Sequence, residues 1–395
     1  MNATRLLVRG VNWLGDAVMT TPALRRLREC FPAVHIALLT HEKLRDLWLA
    51  APASGDDGEE PPVVNEVLTF ATGEGLFAIG RRLREKNFDL ALVLPNSPRS
   101  ALEVWLARIP QRVGYARPWR NWFLTTAVPT RPGHAPMRKR SVGEITRLIA
   151  APAGLTPDSR LQTPDLPAHQ IHEYLHLAAA LGANPEPLPP RLTVSPAEVL
   201  AAGRKFRLAT GARPIFGLNP GAEYGPAKRW PTERFIAAAQ EIQRRTNCLW
   251  LILGGKNDTE LAATIATGLT HHASRITPPV NLAGQTSLRE LLALLSHCRV
   301  LLTNDSGPMH VAAALGVPVV VPFGSTSPEL TGPGLPGDPR HRRLQSAAPC
   351  APCFHRVCPI DLRCLRGISI ERVVQAVLEA RLPAPVSGSE AESPP

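Results

Sequence analysis

Three loops in this chain carry side chains that could do chemistry. In GVNWLGDAV, residues 10–18, a carboxylate, Asp16, stands where a helix is expected to begin. The loop has the Gly10 to Gly15 spacing of a phosphate-binding loop, but Asp16 and Ala17 occupy the places of its Lys and Ser/Thr. An anionic side chain there repels a triphosphate, which argues against an NTPase. The dinucleotide fingerprint fails as well, because Asn12 holds the position of its second glycine. Two readings of Asp16 remain: an N-cap or first-turn Asp stabilised by the helix dipole, or a general base within reach of a substrate hydroxyl.

The second loop is LNPGAEYGPAKRWP, residues 218–231, with Lys228 just before an expected helix N-terminus. A pyrophosphate would fit an ammonium and a helix start placed together. The alternative is a solvated surface lysine, although the density of Gly and Pro, with Trp230 as a packing anchor, favours a shaped loop. The third is TNDSGPMHVAAALG, residues 303–316, where Asp305 and Ser306 follow a buried strand and Gly307 allows close backbone approach to a ligand. One of the two is expected to cap the helix that follows. His310 reads as a structural histidine on that helix. Asp258, after LILGGKN, ends the preceding strand, where a carboxylate can accept from ribose hydroxyls.

These loops need strands to present them. RLLVRGV (5–11), VHIALLT (34–40), VNEVLTF (64–70) and DLALVLP (89–95) read as strands, alternating with helical PALRRLREC, HEKLRDLWLA and IGRRLREKN. A second series follows: PIFGLNP, CLWLILGG, VLLTNDSG and VPVVVPFG, again separated by helices. Alternation of this kind implies parallel sheets covered on both faces. The fold class is therefore α/β, two doubly wound Rossmann-like domains facing across a cleft, with function at the strand ends. Four prolines in NPEPLPPR (184–191) favour a stiff connection. The boundaries expected are 1–185, a linker at 186–191, 192–382, and a disordered tail at 383–395.

Composition narrows the classes. Of 395 residues, 44% are hydrophobic and 19% charged, which suits globular domains and not global disorder. Arg5, Arg9 and Asp16 interrupt any export signal, and no apolar run is long enough for a membrane span. A soluble, cytoplasmic protein is expected. The net charge is +11, and residues 99–147 alone hold ten basic side chains against Glu103 and Glu144, a local +8. That concentration suggests an anionic acceptor, while nucleic acid is disfavoured because no recognition motif accompanies the charge. GDDGEEPP (55–62) reads as a solvated acidic loop without an Asp-x-Asp pair. Cys350, Cys353, Cys358 and Cys364 cluster around His355, but their spacing matches neither paired zinc knuckles nor ferredoxin runs. Packing, or thiols lining a loop, is the default there, and a structural metal the alternative.

At NWLGDAVMTTPAL, PGAEYGPAKRWP and NDSGPMHVAAALGVP, with VLPNSPRSAL (93–102), the sequence resembles the bacterial ADP-heptose:lipopolysaccharide heptosyltransferases, glycosyltransferase family 9, and among them the heptosyltransferase II type. The similarity runs from about residue 5 to 380. It implies a GT-B fold with the donor held by the C-terminal domain, and inverting transfer of heptose from ADP-heptose to a heptose of the lipopolysaccharide inner core. By that resemblance Asp16 is the catalytic base and Lys228 holds the donor pyrophosphate. Asp258 contacts the ribose, and Asp305, Ser306 and Gly307 contact the donor's phosphates and sugar. Asn96, Arg99, Arg120, Arg138 and Arg140 belong to the basic region that would meet the anionic acceptor. No cofactor and no divalent metal is expected, and the enzyme would work in the cytoplasm, peripheral to the inner face of the membrane. Another sugar-nucleotide enzyme of GT-B type, such as an epimerase or a different heptosyltransferase, and a non-catalytic binder of anionic polymer stay open at this point.

Overall fold

The computed structural model of the chain describes residues 3–49, 62–151, 168–208, 213–270 and 277–380. Residues 55–61 of the expected acidic loop and the expected tail at 383–395 lie outside the described residues. Six strands, β1 (Arg5–Arg9), β2 (His35–His41), β3 (Glu66–Phe70), β4 (Leu90–Val93), β5 (Gln111–Tyr115) and β6 (Thr126–Val128), form one parallel sheet in the order β3-β2-β1-β4-β5-β6. Six more, β7 (Ile215–Asn219), β8 (Leu249–Ile252), β9 (Val280–Asn281), β10 (Leu301–Thr303), β11 (Val319–Pro322) and β12 (Arg342–Leu344), form a second in the order β12-β11-β10-β7-β8-β9. Numbered within its own sheet, each follows the same doubly wound order, 3-2-1-4-5-6. The central strands are apolar and buried, as a sheet covered on both faces demands.

The chain order reverses between β1 and β4 in the first sheet, and between β7 and β10 in the second. Loops leaving the carboxyl ends of such strands bound the crevice where ligands sit in this architecture. The three loops singled out by their chemistry are those that leave β1, β7 and β10. Segment 184–191 runs without regular structure between helices Ile171–Ala179 and Pro196–Lys205. The stretch HEKLRDLWLA, expected as a helix, forms a six-residue 3-10 helix, Glu42–Leu47, capped by the His41 ring accepting from the Lys43 amide.

Helix Leu14–Met19, which follows β1, packs against helix Gly307–Ala314, which follows β10. Two glycines make the approach possible. A Cβ on Gly15 would stand 2.7 Å from the His310 ring, and one on Gly307 would stand 2.9 Å from Leu14. Each helix thus seats a side chain of the other against a bare backbone, which fixes the spacing between the two sheets.

A buried ion pair holds the first of these loops. The guanidinium of Arg9, the last residue of β1, donates through Nε to Glu103 Oε2 at 2.7 Å, and both side chains are almost fully buried. Its Nη1 donates to the Gly10 carbonyl and to Asn12 Oδ1, and its charge lies 4.4 Å above the Phe70 ring. Arg9 therefore ties the turn leading to Asp16 to helix Pro98–Leu106. Removing one member of such a pair leaves an uncompensated buried charge. Glu103→Gln is expected to lower unfolding free energy by about 3 kcal/mol, seen as a lower urea midpoint at unchanged slope.

Candidate active site

Asp16 is the third residue of helix Leu14–Met19 and lies in its first turn. Trp13 at the N-cap is extended and makes no side-chain cap bond, so the acidic side chain complements the helix dipole without capping it. The residue keeps some exposure, but its carboxyl group is walled in by protein. Burial pushes its pKa up from 3.8 to about 6, Lys228 opposes that rise, Asp305 reinforces it, and a hydrogen bond with the Gln170 side chain opposes it. Groups from the loops after β7 and β10 therefore act on a carboxylate presented by the first sheet. The two sides of the cleft meet at Asp16.

Lys228 ends the 3-10 turn Pro226–Lys228. Its ammonium lies 2.6 Å from Asp305 Oδ2, with both side chains largely buried, and 4.9 Å over the Tyr224 ring. The Thr326 hydroxyl donates to the same carboxylate oxygen at 2.5 Å. Tyr224 is fixed in turn by its hydroxyl, which donates to the Phe354 carbonyl, and by Arg356, whose guanidinium lies 5.1 Å from the centre of its ring. The loops after β7 and β10 are stitched by Asn304, which accepts from the Trp230 amide and donates to the Pro220 carbonyl. Trp230 is buried, as expected of a packing anchor.

The expectation that Asp305 or Ser306 caps the following helix is corrected by the structure. Ser306 stands at the N-cap of Gly307–Ala314 but makes no side-chain cap bond; its hydroxyl accepts from the Asn219 side chain at 3.1 Å. Asp305 faces Lys228 and Thr326 instead. The stronger attraction of an ammonium and a hydroxyl holds it away from the amides. His310 is buried one turn on, and desolvation lowers its pKa to about 4, so it is neutral near pH 7. Asp258 closes its own turn by accepting from the Gly255 amide at 3.0 Å, and its other oxygen lies 3.5 Å from Arg229. It sits against Gly221, where a Cβ would collide with the carboxyl at 2.4 Å.

The five residues expected to meet an acceptor are not gathered into one open surface. Arg120 is fully buried, with Nη1 donating to the Pro95 carbonyl and to Asn96 Oδ1, and its pKa falls to about 10 through burial and the neighbouring Arg117. Arg140 is buried too and donates to the Pro349 carbonyl. Burial keeps both guanidinium groups off the surface, where the expectation had them meeting an acceptor. Arg138 pairs with Glu144 through both terminal nitrogens, and Arg99 is exposed, bonded to Glu103 and the Glu74 carbonyl.

Cys350, Cys353, Cys358 and Cys364 are free thiols lining one small cavity beside Ala227 and Ser325. A hydrogen bond with Cys364 draws the Cys350 thiol down to about 7. Among the described residues no three His, Cys, Asp or Glu side chains are arranged to hold a metal ion. The segment braces the loops after β7 and β11: the Ala227 amide donates to the Arg356 carbonyl, and the Cys353 and Phe354 amides donate to the Ser325 carbonyl.

Gln170, Tyr224 and Thr326 join the site without having been singled out in the sequence. Thr326 had a signal, since GSTS after the β11 run places small hydroxyl residues at a strand end. Gln170, on the far side of residues 152–167, had none. The raised proton affinity of Asp16 has a measurable consequence. A carboxyl whose folded pKa of about 6 exceeds its unfolded 3.8 favours the fold below the lower value and loses that contribution as pH rises through the higher. Asp16→Asn is therefore expected to unfold like wild type below that lower value and to be the more stable protein at neutral pH, checked by melting curves across the range.

Comparison with known proteins agrees with this geometry. Residues 76–363 match glycosyltransferase family 9 (heptosyltransferase). Lipopolysaccharide heptosyltransferase 2 of Salmonella typhimurium is 32% identical over 342 residues, covering 83% of this chain and 85% of that protein. Lipooligosaccharide heptosyltransferase 2 of Haemophilus ducreyi is 32% identical over 345 residues, covering 83% and 86%. The solved structure of ADP-heptose lps heptosyltransferase II from E. coli superposes with a TM-score of 0.71 at 28% identity, covering 95% of this chain and 98% of that one. With its two facing doubly wound sheets of GT-B type, the chain belongs to glycosyltransferase family 9, the heptosyltransferases.

Proposed function

We propose that the enzyme transfers heptose from ADP-heptose to a heptose of the lipopolysaccharide inner core, with inversion at the anomeric carbon and Asp16 as the general base. The observation that carries this reading is the electrostatic meeting of Asp16 with Lys228 and Asp305 across the packed helices Leu14–Met19 and Gly307–Ala314. An acceptor hydroxyl beside Asp16 gives up its proton to the carboxylate as its oxygen bonds to the anomeric carbon. The bond from that carbon to the diphosphate oxygen breaks on the opposite face, and ADP leaves with the electron pair. Attack and departure on opposite faces is what inverts the centre.

Lys228 is placed to stabilise the charge that develops on departing ADP, assisted by the uncapped start of helix Gly307–Ala314. Its pairing with Asp305 makes donor binding an exchange of one anion for another. With a lysine and a helix terminus in this role, the reaction needs no divalent cation. Asp258, beside Gly221 at the end of the second sheet's strands, takes the ribose hydroxyls in this reading, which its position at a strand end supports. On the other side the acceptor is anionic, and Arg120 lies buried beneath the loop after β4, among the described residues without a carboxylate partner. It adds positive potential to the end of the cleft from which that acceptor enters.

Three results are expected from purified protein given ADP-heptose and a heptose-terminated core acceptor. Asp16→Asn keeps ADP affinity but loses about 10²- to 10⁴-fold in turnover, while the acid limb of wild-type kcat/KM falls near pH 6. Lys228→Ala weakens ADP binding by about tenfold or more in calorimetry, the scale of a charge-assisted contact to phosphate. A chelator leaves the rate of ADP release unchanged. Wild-type turnover in Asp16→Asn removes the base assignment, and unchanged ADP affinity in Lys228→Ala removes the diphosphate role.

A further inference from the structure

The tryptophans of this chain are divided unevenly. In the second sheet's half Trp230 and Trp250 are buried, whereas in the first Trp48 is half-buried against the core and Trp13 is 42%, Trp105 46%, Trp119 80% and Trp122 80% exposed. Trp119 and Trp122 stand on the loop that joins β5 to β6, the edge of the first sheet. Trp122 belongs to the 3-10 turn Asn121–Phe123, which packs on helix Pro98–Leu106, and Phe123 meets Trp105 of that helix edge-on at 5.8 Å. The three indoles therefore belong to two adjoining elements.

The loop is braced and does not splay its rings by default. The Arg117 amide donates to Asn121 Oδ1, the Phe123 amide donates to the Arg120 carbonyl, and the Arg120 side chain runs inward to the Pro95 carbonyl. Trp119 adopts a left-handed backbone with φ of 63°, a conformation that a bulky residue holds only under constraint.

The charge around these rings has one sign. Between residues 99 and 128 the only carboxylate is Glu103, which is fully buried against Arg9, while Arg99 and Arg108 are exposed and Arg112 and Arg117 are half-buried. Exposed indoles among arginines match the interface of an anionic bilayer: the ring seats among headgroups and acyl chains, and guanidinium groups draw negative lipid. Among the described residues no helix is long and apolar enough to cross a membrane. We propose that Trp119 and Trp122, with the arginines beside them, form a docking surface for a membrane carrying anionic phospholipid, which brings the cleft to an acceptor embedded in it. The proposal rests on the reading of that acceptor as a lipid-borne saccharide.

The test is sedimentation of the full chain with vesicles of phosphatidylcholine alone, or of phosphatidylcholine and phosphatidylglycerol in equal parts. Wild type is expected to sediment with the anionic vesicles only, and to be released by raised salt. Trp119→Gly, which suits the left-handed backbone, combined with Trp122→Ser should weaken partition by about tenfold per indole, the scale of burying half a ring face. ADP release with a water-soluble, delipidated core saccharide should stay as in wild type. Wild type left in the supernatant with anionic vesicles, or a double variant that partitions like wild type, overturns the assignment. So does a double variant that keeps vesicle binding but loses turnover on the soluble saccharide, because the rings would then be holding sugar. Vesicle binding without any ADP release by wild type would sink the transferase reading and leave the surface standing.

Discussion

Everything at the cleft depends on how closely helix Leu14–Met19 can lie against helix Gly307–Ala314. Gly15 gives room to the His310 ring and Gly307 gives room to Leu14, so two main chains from different sheets come within a side chain's thickness. That distance decides whether Asp16 and Lys228 share one electrostatic environment or belong to two. A methyl group at either glycine would collide with a side chain of the facing helix, the His310 ring at Gly15 and Leu14 at Gly307, and would force the two helices or those side chains to shift. The contact is a small one, but it sets the register in which one sheet offers the Asp16 carboxylate and the other the loop that carries Lys228.

The charges arranged around that contact are balanced in an informative way. Arg9 and Glu103 neutralise each other under the β1 loop, Lys228 and Asp305 do so between the β7 and β10 loops of the second sheet, and among the described residues Asp16 has no cation in hydrogen-bonding contact. Its raised proton affinity follows from burial that Lys228, already occupied by Asp305, only partly offsets. A carboxylate that holds its proton more tightly is a better base than an exposed aspartate, and it is still ionised at neutral pH. His310, an imidazole in that wall, is kept neutral by its own burial.

Much of this was legible before any coordinates. The strands that carry the site are short apolar runs ended by Gly, Asn or Pro, and their loops announced themselves by residues that are out of place in an ordinary turn: Asp16 where a phosphate loop has Lys, and Lys228 amid glycines and prolines. β5, β6 and β12 gave weaker signals, because QRVGY, TAV and RRL are too polar or too brief for a period-two pattern to stand out. The pairing of Lys228 with Asp305 could not be read, since nothing in either loop specifies which strand end neighbours which until the sheet order is known. For the same reason Ser306 looked like a cap. Propensity favours that assignment, and Asn219, arriving from the adjacent strand, overrides it. Arg120 looked like one more surface cation because the sequence says nothing of the direction in which a loop arginine points.

The ammonium of Lys228, closed on Asp305 at 2.6 Å, also bears on how the reaction ends. If Lys228 holds the diphosphate as proposed, the nucleotide left behind once the sugar has gone must keep that cation against a carboxylate tethered beside it at very high effective concentration. An internal rival of this kind caps how tightly the spent nucleotide can cling, while leaving the transient extra charge at the moment of bond breaking to be met in full. In the proposed reaction the same short contact would act as a built-in ejector, favouring turnover over retention.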